Sequence, residues 1–295
     1  ISSIDADGFT LGSWANNNTV NDTYVSWNWK SGGHATTDNT EDAGTTPTAG
    51  SVKINGANAS SALAGTMPVT RMSVNTTNGV SILTYDGTSS AGTLPHGFSS
   101  APGVVITKER GPNLNDWCMY HHELDMLVSN GSGYYIQPNS DAARVSSSTM
   151  WNGTAPTASV FTVGTDSGSN SSSRTYIAWA FQEVDGYSTF GSYVGTGQSN
   201  GPFINCGFKP AWVYLTRTTG AGYDWFAMDN KMNPYNVTNL ALQTNKNNVQ
   251  DTGIALDYLS NGFKIRFTGT QHNASGSSYI FMAFAESPFK YSNGR

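Results

Sequence analysis

The stretch TYIAWAF, residues 175–181, predicts the fold more directly than any other part of the chain. Alternate side chains of a strand point to opposite faces, so Tyr176 lies on one face and Trp179 on the other. Both faces are apolar, and the residue types fit a pleated, half-buried surface. Apolarity on two sides indicates a central strand of a β-sandwich.

The same aromatic pattern occurs twice more, as TYVSWNW at residues 23–29 and SYIFMAF at residues 278–284. In each copy large apolar side chains follow the Tyr three and five positions later, and a Phe precedes it by 15 or 16 residues. An apolar strand, a loop rich in Asn, Ser and Gly, and a second strand therefore recur in one order. We interpret each copy as a closing β-hairpin, because internal repeats of this kind are typical of modular surface proteins.

Sequence upstream of the second and third hairpins also matches, which extends the repeat from a hairpin to a domain. Two copies of about 105 residues each, residues 79–187 and residues 188–295, have the size of a sandwich with seven or more short strands. We predict an all-β fold with two tandem antiparallel β-sandwiches of the jelly-roll-like type. The matched positions are Tyr85 with Tyr193, Gly97-Phe98 with Gly207-Phe208, Pro102 with Pro210, and Asp116-Trp117 with Asp224-Trp225.

The first copy, residues 1–30, supplies only the terminal hairpin of such a domain. A lone hairpin is marginal in water, so we expect either a longer parent polypeptide or pairing with another element. Residues 31–78 follow, and their first forty contain no aromatic residue and few large aliphatic ones. We interpret this stretch as an extended linker or arm with one short strand near Ser51–Ile54. An insertion loop on a domain is the alternative.

Composition favours an extracellular or virion protein. Charged residues make up 12% of the chain, about half the usual share. A net charge of −5 with 15 Lys and Arg leaves no basic stripe for a phosphate backbone, so nucleic-acid binding is not expected. No apolar run approaches the roughly 18 residues that span a bilayer, and we expect no membrane insertion.

The densest cluster of titratable side chains is HHELD, residues 121–125. On a strand His121 and His122 point to opposite faces and cannot both bind one metal ion. The acidic residues show no distinctive pairing for glycoside hydrolysis, and the common nucleotide, zinc and nucleophile motifs are missing from the sequence. We therefore predict no catalytic residues, no metal and no cofactor. Cys118 and Cys206 occupy non-equivalent positions, which leaves both a disulfide and two buried thiols open.

Aromatic residues outside the repeated strands are the candidate ligand contacts. They lie beside Gly, Asn, Ser or Pro in predicted loops, where a flat ring can stack on a sugar or on a partner side chain. Capping of the sandwich ends or packing between protomers is the alternative. The predicted ligand-binding residues are Trp151, Tyr134, Tyr135, Tyr187, Tyr223 and Tyr235.

Several segments resemble the repeated C-terminal region of tail-fibre-like proteins from marine bacteriophages. They include DWCMYHHEL, NGPFINCGFKPAWVYLTR and SSYIFMAFAESPF, and the resemblance runs from Gly8 to Arg295 with residues 33–70 the least typical. The resemblance implies a virion fibre or appendage, a trimer, whose tip contacts the host cell surface. It supplies no catalytic residues.

Three hypotheses about function follow. The leading one is a non-enzymatic virion structural protein on the virion surface, a phage tail-fibre or appendage module. It would recognise a glycan or a protein on the host surface. Its partners would be its own copies, in a homotrimer, and other virion proteins. Several weak contacts to the host would then add up by avidity. The second is a self-assembling extracellular filament or virion-decoration subunit linked by strand addition. The third is a polysaccharide-degrading enzyme of the tailspike type.

Overall fold

The computed structural model describes residues 1–5, 8–40, 44–111, 115–126 and 133–287. This part of the chain is almost entirely β. The strands of its first half are β1 (Ser3–Ile4), β2 (Phe9–Thr10), β3 (Val52–Ile54), β4 (Ala57–Asn58), β5 (Arg71–Asn75), β6 (Val80–Asp86), β7 (Gly92–Pro95), β8 (Val104–Glu109), β9 (Cys118–His121), β10 (Tyr134–Tyr135), β11 (Val145–Ser146), β12 (Val160–Val163) and β13 (Thr175–Phe181). Those of its second half are β14 (Ser188–Val194), β15 (Phe203–Asn205), β16 (Pro210–Arg217), β17 (Phe226–Asp229), β18 (Leu242–Gln243), β19 (Leu256–Leu259), β20 (Gly262–Ile265) and β21 (Ser278–Ala285). Three short helices are α1 (Ala15–Asn18), α2 (His122–Met126) and α3 (Thr270–Asn273).

The first sandwich, named sandwich A, has a seven-stranded sheet in the order β4-β3-β5-β6-β13-β8-β9. Strand β13 pairs antiparallel with β6 on one edge and β8 on the other, which confirms the central strand predicted from TYIAWAF. A smaller sheet of β7 and β12 covers the inner face. Residues such as Tyr85, Tyr176 and Phe161 form the buried core between the two sheets.

The second sandwich, named sandwich B, repeats this plan. Its larger sheet has the order β14-β21-β16-β17-β18, and β15-β20-β19 form the smaller one. Strand β21 is central, between β14 and β16. Tyr193, Phe263 and Tyr279 belong to the core. The predicted all-β fold with tandem sandwiches is confirmed, and the described strand pairs are antiparallel except β3 with β5, which is parallel.

The two sandwiches pack side by side through the outer faces of their larger sheets. Because side chains alternate along a strand, Tyr176 points into sandwich A while Phe181 points out of it. Tyr279 and Phe284 do the same in β21. The outward side chains meet in a third buried cluster that both sandwiches share. In β13 and β21, one apolar face thus packs in the core of its own sandwich, and the other packs in the interface between the two sandwiches.

Residues 31–78 are not the extended arm expected from their composition. Strands β3, β4 and β5 extend the sheet of sandwich A, and the short strand expected near Ser51–Ile54 is β3. Val52, Met72 and Val74 are buried in its core. The reason is that alternating Val and Met side chains on β5 fill an inner face without any aromatic residue.

The closing hairpins predicted before the aromatic strands are also not formed. In sandwich A, β12 pairs with β7 whereas β13 pairs with β6 and β8, so the loop between them crosses from one sheet to the other. In the first copy Phe9 pairs with Ile4, and residues 23–29 form no strand. No described strand flanks residues 23–29 as β14 and β16 flank β21. None of the helices in the described residues is long or apolar enough to cross a membrane.

Candidate functional site

A tyrosine and an asparagine fix the loop that precedes each repeated aromatic strand. In sandwich A the Tyr176 hydroxyl donates to the Ser167 carbonyl (2.8 Å) and accepts from the Ser171 amide (2.9 Å). The side-chain amide of Asn170 donates to the Gly164 carbonyl (2.7 Å). These bonds satisfy backbone groups that the crossing loop would otherwise bury unpaired. We call this arrangement the Tyr–Asn latch.

Sandwich B contains the same latch at the same spacing. The Tyr279 hydroxyl donates to the Thr270 carbonyl (2.9 Å) and accepts from the Ala274 amide (2.8 Å). Asn273 donates to the Phe267 carbonyl (2.6 Å). The Tyr, the two loop residues it contacts and the Asn keep identical offsets in both sandwiches, so the latch is a property of the repeat.

The strand that begins each repeat, β6 in sandwich A and β14 in sandwich B, completes the latch. Tyr85 of β6 stacks on Tyr176 with ring centroids 5.3 Å apart, and the Thr88 amide donates to the Asn170 side-chain oxygen (2.8 Å). The sequence Tyr-x-Gly-Thr at the end of this strand therefore supplies both contacts. In sandwich B the corresponding contacts are Tyr193 on Tyr279 at 4.8 Å and Thr196 to Asn273 at 2.8 Å.

The N-terminal segment carries a third latch that lacks this partner strand. The Tyr24 hydroxyl donates to the Ala15 carbonyl (3.2 Å) and accepts from the Thr19 amide (2.9 Å). Asn18 donates to the Gly12 carbonyl (2.8 Å). Tyr24 is 49% exposed, whereas the tyrosines of the two complete latches are fully buried. The loop geometry is present, but no ring among the described residues stacks on Tyr24.

A second repeated arrangement fixes the Asp-Trp pair of each sandwich. Asp116 accepts hydrogen bonds from the side-chain amides of Gln137 (2.7 Å) and Asn139 (2.8 Å), and Asn139 accepts one from the Trp117 amide (2.9 Å). Side chains of a later segment therefore hold the Asp-Trp pair in place. Sandwich B repeats these bonds with Asp224, Gln243, Asn245 and Trp225, and adds an ion pair from Lys246 at 2.8 Å.

The two tryptophans of these pairs differ in how they are covered. Trp225 is 2% exposed, stacks on Tyr214 at 4.8 Å and donates from Nε1 to the Gln137 carbonyl of sandwich A (3.0 Å). Trp117 is 36% exposed and stacks on Trp179 at 5.0 Å. An open pair of rings is an apolar platform that a sugar or a protein surface can cover. The sequence reasoning missed this platform, although the outward position of Trp179 on its strand was an available signal.

The HHELD cluster joins the two sandwiches. His121 Nε2 lies 3.1 Å from the Phe281 carbonyl oxygen, and His122 Nε2 lies 2.9 Å from that of Phe190. Glu123 accepts a hydrogen bond from the Ser192 hydroxyl (2.6 Å). Burial, aided by the neighbouring His122, lowers the pKa of His121 to about 3, so its ring is neutral at neutral pH. No group of three or more potential metal ligands lies together in the described residues. The side chain of Asp125 lies outside them.

The six predicted ligand contacts do not form one site. Trp151 is 2% exposed in the core of sandwich A, edge-on to Tyr120, so the prediction of an accessible ring is wrong there. Tyr135 is half-buried against the same core, and Tyr187 is half-buried edge-on to Phe284 at 5.7 Å. These rings fill space within the protein, as the capping alternative expects.

Tyr134 and Tyr223 lie where a loop of sandwich A meets a loop of sandwich B. The Arg144 guanidinium lies 5.0 Å from the centroid of the Tyr134 ring, and that of Arg217 lies 4.0 Å from the Tyr223 ring. The Arg144 amide donates to the Thr218 carbonyl (3.1 Å), which ties the loops together. Each ring thus makes a cation–π contact at a half-buried junction.

Tyr235 presents its ring to solvent and is 80% exposed. The loop that carries it is fixed at the next residue, because Asn236 donates to the Tyr258 carbonyl and accepts from the Tyr258 amide, both at 2.9 Å. The ring therefore projects from a positioned backbone. Of the six predicted contacts, Tyr235 is the one whose exposure fits a ligand-stacking role.

The cysteines are two separate buried thiols. Cys118 lies in the core of sandwich A and Cys206 in that of sandwich B, and both are free. Burial raises the pKa of each thiol to about 12. The open choice between a disulfide and two thiols is settled in favour of the thiols.

A groove of about 890 Å³ separates the N-terminal segment from sandwich B. One wall carries the exposed Tyr24 of the third latch, and the other carries Lys231 from the loop after β17. The lining of the groove as a whole contains acidic, basic, amide and apolar side chains. The lining residues are Asp22, Thr23, Tyr24, Val25, Asp229, Lys231, Met232, Leu242, Asn248, Val249 and Gln250.

These features define a class of all-β proteins built from tandem sandwiches with repeated Tyr–Asn latches. Residues 44–288 match the family described as a domain of unknown function (DUF7483), and the chain belongs to this family. The matched region contains β3 to β21 and leaves the third latch outside it.

Two further comparisons add little about function. Among solved structures, the chain is similar to the major capsid protein P2 from bacteriophage PM2, at 8% identity and a TM-score of 0.24, over 71% of this chain and all of that chain. A similarity this low carries no argument about what the protein does. No curated protein matches the chain.

Proposed function

We propose that this protein is a structural module of a bacteriophage particle, in a tail fibre or appendage, which contacts glycans on the host cell surface. The observation that carries the proposal is the Tyr235 ring, 80% exposed on a loop whose backbone Asn236 fixes. A flat ring held in place can stack on a sugar face with little loss of conformational freedom. The resemblance of the repeats to tail-fibre-like proteins gives the setting of the contact.

The composition of the surface supports weak, multivalent binding. Charged residues are scarce, and hydroxyl and amide side chains dominate the polar positions. Such groups form hydrogen bonds with sugar hydroxyls without the long-range attraction of a charged surface. A single stacking contact is weak, so adsorption would depend on several copies acting together, in the homotrimer we expect and on several fibres of one particle. Other virion proteins would hold the module in place.

Binding of the labelled protein to host cells and to a panel of host-surface glycans tests the proposal. Loss of one stacking contact of about 1.4 kcal/mol corresponds to about tenfold weaker binding for Tyr235→Ala. Tyr235→Phe keeps the ring and should bind nearly as the parent does. Phe203→Ala removes another exposed ring, 44% exposed on β15, and serves as the matched control. Unchanged binding of Tyr235→Ala, or no attachment of the parent protein to any host cell, would overturn the proposal.

Strand addition between subunits is the second candidate function. Residues 23–29 form no strand, and no backbone hydrogen bond joins them to another described residue. Open strand edges are the usual basis of such linkage. If the protein is a filament or decoration subunit, deletion of residues 1–30 should abolish polymerisation in light scattering while leaving both sandwiches folded. Assembly that survives the deletion would reject this candidate.

The enzymatic alternative is the least favoured of the three. Glu183 accepts hydrogen bonds from the Thr189 hydroxyl and the Phe190 amide, both at 2.8 Å. Glu123 similarly accepts one from Ser192. Both carboxylates thus have structural partners. Turnover of any host-surface glycan by the purified protein would reverse the order of the hypotheses.

A further inference from the structure

We propose that residues 1–29 are the closing part of a third sandwich and that they accept its opening part. The occupant is a polypeptide of the same repeat type whose first strand ends in Tyr-x-Gly-Thr. This inference goes beyond host-surface binding and does not depend on it.

The N-terminal segment contains counterparts of the last four elements of sandwich B, in the same order. In sandwich B these are β19 and β20, which pair with each other, then α3, then β21. In the segment, β1 pairs with β2, α1 follows, and residues 23–29 come next. Ile4 lies opposite Phe9 as Tyr258 lies opposite Phe263. The third latch, that of Tyr24, therefore belongs to an unfinished sandwich and is not an isolated loop.

Positions that a neighbouring strand fills in sandwich B are open in the segment. A Cβ on Gly262 would overlap the carbonyl oxygen of Ile204 in β15, whereas a Cβ on Gly8, the matching glycine, would meet nothing within 4 Å. No described amide donates to the side-chain oxygen of Asn18, the position that accepts from Thr88 or Thr196 in the complete latches. The segment keeps the glycine and the asparagine but lacks the strands they serve.

Three equivalent rings from the three copies meet at one point. Trp29, Phe181 and Phe284 each lie five residues after the latch tyrosine. Their centroids form a triangle with sides of 6.5 Å (Trp29–Phe181), 5.4 Å (Trp29–Phe284) and 6.1 Å (Phe181–Phe284). The outer faces of three copies therefore converge as in a threefold arrangement, with one copy incomplete.

The segment contacts sandwich B in the way that sandwich B contacts sandwich A. His121, the last residue of β9, bonds to the Phe281 carbonyl of β21. Asp229, the last residue of β17 and the counterpart of His121, accepts a hydrogen bond from Trp27 Nε1 (2.9 Å). In both cases the end of the fourth strand of one copy holds the closing strand of the next. The same relation applied once more would place the third sandwich against sandwich A.

A buried side chain marks the place of the missing first strand. His122, which follows β9, bonds to the Phe190 carbonyl of β14. Its counterpart Asn230 is 6% exposed, and neither polar atom of its side chain has a hydrogen-bond partner. An unpartnered buried amide is costly and calls for a partner. Asn230 is next to Lys231, which lines the groove beside Tyr24. A strand equivalent to β14 would therefore bind in this groove.

The exposed platform of sandwich A is the other surface that the occupant would cover. Trp225 of sandwich B is covered by the loop of sandwich A that contains Gln137. Among the described residues, Trp179 alone stacks on Trp117, the counterpart of Trp225, and Trp117 is 36% exposed. In a closed ring of three, the equivalent loop of the third sandwich would lie over Trp117. One occupant therefore accounts for both the groove and the platform.

The chemistry of the occupant follows from the complete latches. A tyrosine must stack on Tyr24, and an amide three residues later must reach Asn18. The residue before that amide must be glycine, because a Cβ on Gly87 would overlap the Ser171 carbonyl oxygen and one on Gly195 that of Ala274. Tyr-x-Gly-Thr meets all three requirements, and it occurs where β6 ends and where β14 ends.

A gain-of-structure experiment tests the proposal on the full chain. Residues 188–254 are duplicated and joined directly to Ile1, because Ile1 corresponds to position 255 when Gly8 is aligned with Gly262. We expect amide exchange at residues 24–29 to slow by about 100-fold or more, since these amides enter a hydrogen-bonded sheet. Covalent footprinting of Trp117 should fall at least about threefold, towards the level of Trp225.

Variants in the added segment show whether its protection of residues 24–29 depends on the Tyr-x-Gly-Thr contacts or arises from nonspecific association. Tyr193→Ala and Gly195→Val, each made only in the added copy, should remove most of the protection at residues 24–29. Val194→Ser in the added copy is the matched control, because Val194 is 56% exposed in sandwich B, and it should preserve the protection. Exchange at residues 24–29 that stays fast, Trp117 labelling that stays high, or protection that survives Gly195→Val would each overturn the proposal.

Discussion

The latch of sandwich B and the latch of the N-terminal segment make the same polar bonds within the loop, yet only one of them is buried. Tyr279 is fully buried beneath Tyr193, while Tyr24 is 49% exposed. Their hydroxyl groups contact loop residues at the same offsets. Loop geometry is therefore encoded within about a dozen neighbouring residues. Burial, and with it most of the stabilisation, comes from a strand far away in sequence.

The largest expected difference is between the two tyrosines themselves. Tyr279→Ala removes a buried ring, a stacking contact and two hydrogen bonds, and should destabilise the protein by about 3–5 kcal/mol. Tyr24→Ala removes an exposed ring and should cost about 1 kcal/mol or less. Urea denaturation followed by tryptophan fluorescence measures both. Equal losses would show that the N-terminal latch is already as well packed as the others.

A second contrast uses the equivalent tryptophans. Trp225→Ala leaves a cavity beside Tyr214 and an unpaired Gln137 carbonyl, and should cost about 3–4 kcal/mol. Trp117→Ala should cost about 1 kcal/mol, because one face of the ring pair is already in water. The same denaturation assay applies. A larger cost at Trp117 would contradict the view that its surface is an uncovered interface.

The asparagines provide the next smaller contrast. Asn273 donates to the Phe267 and Gln198 carbonyls and accepts from the Thr196 amide, all within the protein. Asn273→Ala should cost about 2–3 kcal/mol, because these groups lose buried partners. Asn18→Ala should cost about 0.5–1 kcal/mol, since the one side-chain hydrogen bond that Asn18 makes to a described residue is at the surface. Thermal denaturation of Asn273→Ala and Asn18→Ala measures both losses of stability. Similar losses would mean that Asn18 is already held by buried partners as Asn273 is.

The smallest expected effect is a difference in pH dependence between two interfaces: the one between sandwiches A and B, and the one between the N-terminal segment and sandwich B. Burial lowers the pKa of His121 to about 3, below the usual 6.5, so stability is fully present above about pH 6.5 and is lost as pH falls towards 3. Between pH 7 and 5.5 this histidine should account for a loss of about 1 kcal/mol, because the unfolded chain takes up the proton first. His272, whose pKa burial lowers to about 4, acts in the same direction. The contact between Trp27 and Asp229 contains no imidazole.

Denaturation at a series of pH values checks this expectation. His121→Gln should reduce the slope of stability against pH between 7 and 5.5, whatever its effect on absolute stability. His34→Gln, at an exposed position, is the matched control. A slope that is the same in His121→Gln as in the parent would mean that His121 is not held neutral in the interface.

The sequence predicted those features whose signal lies within one strand or one loop. Alternation in TYIAWAF correctly gave a central strand with two apolar faces, because each face is legible from seven residues. The position of Tyr85 in an equivalent strand of each repeat also followed from matching residues. The triple aromatic pattern correctly indicated three related segments.

Features that depend on pairing across the chain could not be predicted in this way. The Phe and Tyr strands were expected to form a hairpin because they are close in sequence, but they lie in different sheets. Residues 31–78 were expected to be an arm because they lack aromatic side chains, yet Val52, Met72 and Val74 fill an inner face. Trp151 beside Gly153 resembles an exposed loop ring, and only the fold shows that it is buried. Proximity in sequence and residue type are weak guides to partners in a sandwich.

The order of the strands has a consequence for synthesis. Tyr85 pairs with Tyr176, and Tyr193 with Tyr279, so β6 and β14 each meet their central partner about 90 residues later. At about 5–20 residues per second, the ribosome needs roughly 5–20 seconds to deliver that partner. During this time β6 or β14 exposes an edge on which β13 or β21 will later pair. A nascent chain of this protein thus carries unmatched strands for most of its translation, and crowded synthesis favours pairing between neighbouring chains.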